Sequence, residues 1–164
     1  MKTFTLSVAI MAIATPSFAQ VVWDMPMAYS ATNFQSATGA EFARCVTTGT
    51  GGDIEIVTHP GGSLYAGADI KRAIQTGQVP IGERLLSAHQ NEDALFGFDS
   101  IPFLVGSFEE HALLWEAAEP TITELLEGQN LRLLYSVPWP PQGLYFNQEI
   151  ASAPITTRPT VWPN

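Results

Sequence analysis

Apolar positions follow two periods along this chain, and each change of period marks an element. Ile70, Ala73 and Ile74 recur at i, i+3 and i+4, the spacing of one apolar helix face, with Lys71, Arg72 and Gln75 on the wet side. Gly77 stands where a helix needs a left-handed residue at its C-terminal end. Residues 79–82 then read as a short buried strand, with Glu83 at its carboxyl end. In open α/β sheets, ligands bind outside the carboxyl ends of the strands. Glu83 is therefore expected on the rim of a cleft.

The flanking segments extend this pattern. Residues 21–27 read as a first strand, held to an edge or an early end by Pro26. A loop with several possible caps, including Tyr29-Ser30-Ala31-Thr32-Asn33, leads into a helix to about Thr47. Phe34, Ala37, Phe42 and Cys45 share one arc of that helix, away from Gln35, Glu41 and Arg44. Residues 53–57 alternate and predict a second strand. Ser107 and Glu110 form a capping-box pattern opening a helix whose apolar face holds Leu113, Leu114, Ala117 and Ala118. Pro120 is expected to kink or restart it before Ile122, Leu125 and Leu126. Residues 131–137 are nearly all apolar, as in a central parallel strand, and the Pro138–Gly143 stretch ends them. Residues 144–146 suggest one further strand. The order predicts helices packed on a mostly parallel sheet. Residues 151–164, with Pro154, Pro159 and Pro163 and no periodicity, read as an unstructured tail.

Composition narrows the partners. The chain has 164 residues, 46% of them hydrophobic, and a net charge of −9, enough for one globular domain with a real core. No basic stripe exists, which argues against nucleic acid and against anionic lipid. Residues 1–19 carry the marks of a secretory signal: Lys2, an apolar run from Phe4 to Ala14 too short to span a bilayer, and Ser17-Phe18-Ala19 as a cleavage site. A mature, exported protein is expected to start at Gln20. Cys45 is the single cysteine, so no intrachain disulfide forms, and its place on the apolar arc predicts a small buried hydrophobe.

Enzyme signatures are absent: no GxSxG, HExxH, P-loop or CxxC occurs, and His59, His89 and His111 lack metal-ligand spacing and read as surface or loop residues. No catalytic residue, metal or cofactor is expected. Pro60-Gly61-Gly62-Ser63 leads toward a helix and suits a plain turn better than an anion cradle. Glu92 and Asp93 read as a solvated loop, and Glu109 and Glu110 as acids favouring a helix N-terminus. Trp139, Gln142 and Tyr145 flank the proline-rich break, on the same sheet edge as Glu83. Aromatic and amide groups there suit a small polar ligand, and Trp139 suits packing over the strand end equally.

These residues also carry a family resemblance. Glu41-Phe42-Ala43, Gly52-Asp53-Ile54-Glu55-Ile56, the run from Ile70 to Glu83, Asp99-Ser100-Ile101-Pro102-Phe103-Leu104, Leu131-Arg132-Leu133-Leu134-Tyr135 and the run from Pro138 to Tyr145 together resemble the N-terminal half of a solute receptor of the TRAP (tripartite ATP-independent periplasmic) transporters, dicarboxylate-receptor type. The match covers roughly residues 22–150. The resemblance implies an α/β, periplasmic-binding-protein-like first lobe at residues 20–150, after a signal peptide at 1–19. It implies a periplasmic receptor that hands a small organic acid, such as a dicarboxylate or 2-oxo acid, to integral-membrane permease subunits. Tyr29, Ser30, Glu83, Trp139 and Gln142 would line the cleft.

The sequence departs from the family after Ile150. There a Lys-Gly-x-Lys-x-Arg-like segment usually supplies the arginine that grips the ligand carboxylate, and Ser152-Ala153-Pro154-Ile155-Thr156-Thr157-Arg158-Pro159 does not match it. That arginine's role therefore cannot be carried over to Arg158, and a truncated or frameshifted receptor that lacks the second lobe and is impaired in ligand binding is expected. The alternative is a free-standing small α/β ligand-binding domain that needs no second lobe.

Overall fold

A computed structural model describes residues 20–141 and Asn147. The expected signal (1–19), Gln142, the suggested strand at 144–146 and the tail (151–164) lie outside the described residues.

Two strands pair in parallel: β1 (Val21–Pro26) runs beside β2 (Ile54–His59), with Val21 opposite Ile54 and Pro26 opposite His59. The parallel pair needs a crossover, and α1 (Phe34–Gly49) supplies it. Asn33 caps α1, its side chain accepting from the Gln35 backbone N–H. On its other side β1 meets Glu83: the Glu83 N–H donates to the Pro26 carbonyl at 3.0 Å, and Met27 bridges to Glu83 in parallel. Pro26 ends β1, so its missing N–H costs the ladder little, as expected of an edge or an early end; among the described residues the sheet has two strands, with this single bridge on the other side of β1.

The expected strand at 79–82 is thus a single bridge at Glu83. Pro80 has no N–H to give a ladder, and residues 76–80 are still turning out of α2 (Ile70–Gln75). Gly77 takes the left-handed conformation expected of it, at φ 72°. The Ile70, Ala73 and Ile74 face does pack inward. A side chain at Gly82 would meet Ile70 and Ile74 at 2.9 and 3.0 Å, so glycine lets α2 close on this segment. Lys71, expected on the wet face, is buried at 7% exposure.

α1 faces the sheet differently from the expectation. Its buried residues are Gln35, Ser36, Gly39 and Ala43, while Phe34, Ala37 and Cys45 are exposed. Small residues let the helix axis approach the sheet closely, and this outweighs the count of apolar side chains. Cys45 is therefore an exposed free thiol, not a core residue.

Two 3₁₀ segments, Leu86–His89 and Ala94–Ser100, lead to α3 (Phe108–Glu127). Ser107 caps α3 by accepting from the Glu110 N–H, and the Glu110 carboxylate reaches back to the Gly106 N–H at 2.6 Å. The capping box is thereby present, shifted by one residue on its return arm. α3 continues through Pro120 as one helix instead of restarting. Its inner face is Leu114, Trp115, Ala118, Ile122, Leu125 and Leu126, whereas Leu113 and Ala117 are exposed.

The core is in two parts. Met25, Met27, Ala43, Ile56 and Ile81 form one cluster, and Phe96, Phe98, Ile122 and Leu126 the other. Residues 131–137 run extended between them: Leu131 and Leu133 pack on the second cluster and Tyr135 on the first. Their burial alternates residue by residue as in a strand, yet they form no ladder among the described residues. No helix among the described residues is long and apolar enough to cross a membrane.

Candidate functional site

Between the two core clusters lies a cavity of about 770 Å³, within the size range of small-molecule sites. The extended residues 131–137 and the segment after α2 form much of its wall. Tyr29, Gln35, Glu83, Arg84, Tyr135 and Trp139 bring polar groups to it.

Glu83 is positioned by its backbone bond to Pro26, and its carboxylate accepts from the Tyr135 hydroxyl at 3.3 Å. Gly39 of α1 makes room for this pair: a Cβ there would lie 2.6 Å from Glu83 Oε2, 2.7 Å from Met27 Sδ and 3.3 Å from the Tyr135 hydroxyl. Burial pushes the Glu83 carboxyl from 4.5 up to about 7, and the Tyr135 hydrogen bond offsets part of that rise. Burial, then the neighbouring Glu83 charge, raises the Tyr135 hydroxyl, which stays protonated as the donor. Near neutral pH, Glu83 is therefore poised to give or to take a proton toward a ligand.

At the mouth of α1, Trp139 packs edge-on against Tyr29 at 5.4 Å and against Phe34 at 5.8 Å between ring centroids. The Ser36 hydroxyl donates to the Tyr29 carbonyl at 2.9 Å and holds this loop to the helix. Gln35 lies within the frame, 3% exposed, and neither its Nε2 nor its Oε1 has a hydrogen-bond partner among the described residues. Arg84 Nε and His89 Nε2 are also buried and unpartnered there, and both residues line the cavity.

A charged cluster closes the side near Phe96. The Lys71 ammonium donates to Glu92 and sits 5.3 Å from the Phe96 ring centroid, while His89 Nδ1 meets Glu92 at 3.0 Å. The hydrogen bond from Lys71 holds the Glu92 carboxyl below its usual range, and burial holds His89 below its own. Glu92 is exposed in a turn, as expected, and serves there as an ion-pair partner as well, whereas His89 is a packed residue rather than a surface one. The other two histidines pair with acids, His59 with Asp24 at 2.7 Å and His111 with Asp99 at 3.6 Å.

Of the residues expected at the site, Tyr29, Glu83 and Trp139 line this cavity. Ser30 is exposed, its hydroxyl 3.3 Å from that of Thr32, and it is not part of the cavity wall. Gln142 lies outside the described residues. Gly61 and Gly62 spend their N–H groups on the Tyr29 and Met27 carbonyls, so that turn is not an anion cradle. Gln35, Arg84, Lys71 and His89 were not expected at the cavity. Gln35 carried one faint signal, its place just after a capping Asn33, whereas the others depend on contacts distant in sequence.

No protein-family model and no curated protein matches the chain. Solved structures do. A marine metagenome TRAP solute-binding protein from an unidentified microbe, specific for pyroglutamate, is 55% identical with a TM-score of 0.79, over 82% of this chain and 44% of its own. Two extracytoplasmic solute receptors of Bordetella pertussis that bind pyroglutamic acid are each 39% identical. Their TM-scores are 0.72 and 0.77, over 74% and 80% of this chain and 40% and 44% of theirs. The chain therefore spans less than half the length of these receptors, and its α/β architecture matches one lobe of them. It belongs to the family of TRAP transporter solute-binding receptors.

Proposed function

We propose that this chain forms one ligand-binding wall of an exported receptor that captures a small organic acid in the periplasm and delivers it to the permease subunits of a TRAP transporter. The observation that carries this reading is 55% identity to a pyroglutamate-specific receptor over 82% of this chain. Pyroglutamate, a cyclic amide acid, is accordingly the first ligand to test, ahead of simple dicarboxylates and 2-oxo acids. Tyr29, Glu83 and Trp139 are the proposed contacts, with Gln142 beside them in sequence. Residues 1–19 act as the export signal in this reading, with processing before Gln20.

NMR titration of labelled protein with pyroglutamate, malonate and 2-oxoglutarate is the test. Saturable shifts at Tyr29, Glu83 and Trp139 with pyroglutamate, at lower concentration than with the other acids, are expected. Shifts scattered over the surface, or none at tens of millimolar, would remove the proposal. N-terminal sequencing of periplasmic material tests export, and a full-length product kept in the cytoplasm would overturn it.

A further inference from the structure

Gln35 is the most informative group that the ligand reading above leaves unused. It occupies the first turn of α1, where Asn33 caps its backbone N–H at 3.1 Å and fixes the helix start. Its side chain is 3% exposed, lines the cavity and has both polar atoms unpartnered among the described residues. A buried carboxamide without partners costs about 1–3 kcal/mol in proteins. Such a cost persists where a ligand removes it.

The pair of unpartnered atoms defines what that ligand presents. Nε2 needs an acceptor and Oε1 needs a donor, side by side. A carboxylate offers acceptors only and would leave Oε1 unmet. A cis amide edge offers an N–H and a C=O in one plane and satisfies both. Tyr29 and Trp139, both on the cavity wall, stand at this end of α1 with their rings edge to face, giving apolar surfaces suited to a small flat ring.

We propose that Gln35 is a specificity-determining residue that reads the amide edge of a cyclic amide acid by paired hydrogen bonds, and so separates lactam acids from dicarboxylates. This rests on the receptor reading above.

The test compares pyroglutamate with cyclopentanecarboxylate, which keeps the ring and the acid but lacks the amide. In the unsubstituted chain, loss of the amide should weaken binding about tenfold. In Gln35→Leu the two ligands should bind alike. A separate readout needs no ligand: Gln35→Met and Gln35→Leu should each raise the Tm of the free protein by about 2–4 °C, because an unpartnered buried amide is replaced. A lower Tm in both variants would mean that the amide is bonded within the protein, which overturns the assignment. An unchanged ligand ratio in Gln35→Leu, with pyroglutamate still bound at the cavity, would overturn it and leave the receptor reading standing. Absence of any pyroglutamate binding by the unsubstituted chain would overturn both.

Discussion

Tyr135 donates a hydrogen bond to Glu83 across 52 residues of sequence, at 3.3 Å, against Gly39, the buried position of α1 that has no side chain. Three segments meet at this point: the bridge beside β1, the extended residues 131–137 and the inner face of α1. The pair therefore ties the frame of the site together, and it places an acid that titrates near neutrality on the cavity wall.

The Glu83 titration predicts a pH-dependent stability. Its folded value, about 7, lies above the ordinary 4.5, so the folded state holds the proton more tightly. Its contribution is full below about 4.5 and is lost as pH rises through about 7. Tm should therefore fall across that window, and Glu83→Gln should flatten this part of the profile. Thermal melts at half-unit pH steps check it, and equal slopes in the two proteins would refute the buried, raised carboxyl.

Gly39→Ala sets two effects against each other. Alanine gains about 1 kcal/mol of helix propensity over glycine. The added methyl, however, would fall 2.6 Å from Glu83 Oε2 and 2.7 Å from Met27 Sδ, inside the first core cluster. Overpacking of this kind costs about 1–3 kcal/mol. The net expectation is a loss of roughly 1 kcal/mol, together with altered titration of Glu83 as Tyr135 is displaced. Denaturant melts and carboxyl NMR shifts measure the two parts. A stabilised variant with an unmoved Glu83 would show that Gly39 does not hold this space open.

The local features of this fold were legible in the sequence, and the long-range ones were not. The face of α2, the left-handed Gly77, the cap at Ser107 and the β1–α1–β2 order all follow from spacings within a few residues. Residues 131–137 have the alternation of a strand, but a ladder depends on a neighbour that no local pattern specifies. The buried stripe of α1 was misread because close packing selected Ser36, Gly39 and Ala43 over larger apolar residues. Glu83 was recognisable from its place after an apolar run, whereas Tyr135 became its partner only through the fold. Lys71 was assigned to water since its counter-ion, Glu92, lies 21 residues away.

That Lys71–Glu92 pair supports a last prediction, and the asymmetry of its burial gives the sign. The Lys71 side chain is 8% exposed, whereas that of Glu92 is 40% exposed. The ammonium has left water, and its compensation is the Glu92 carboxylate and the face of Phe96. Glu92→Ala removes the acceptor and leaves a buried cation unpaired, at a cost of about 1–3 kcal/mol. His89 loses its Nδ1 partner in the same variant. Lys71→Met keeps the stem against Phe96 and removes the charge, leaving Glu92 free to turn into solvent. Its cost should be under about 1 kcal/mol, since replacing a buried ion by an apolar isostere is often neutral. The double variant should then resemble Lys71→Met alone, because the partners are strongly coupled. Urea unfolding of the three variants measures the cycle. Equal losses for the two single changes, or additive losses in the double, would mean that the ammonium is solvated and that the cavity has no charged wall on this side.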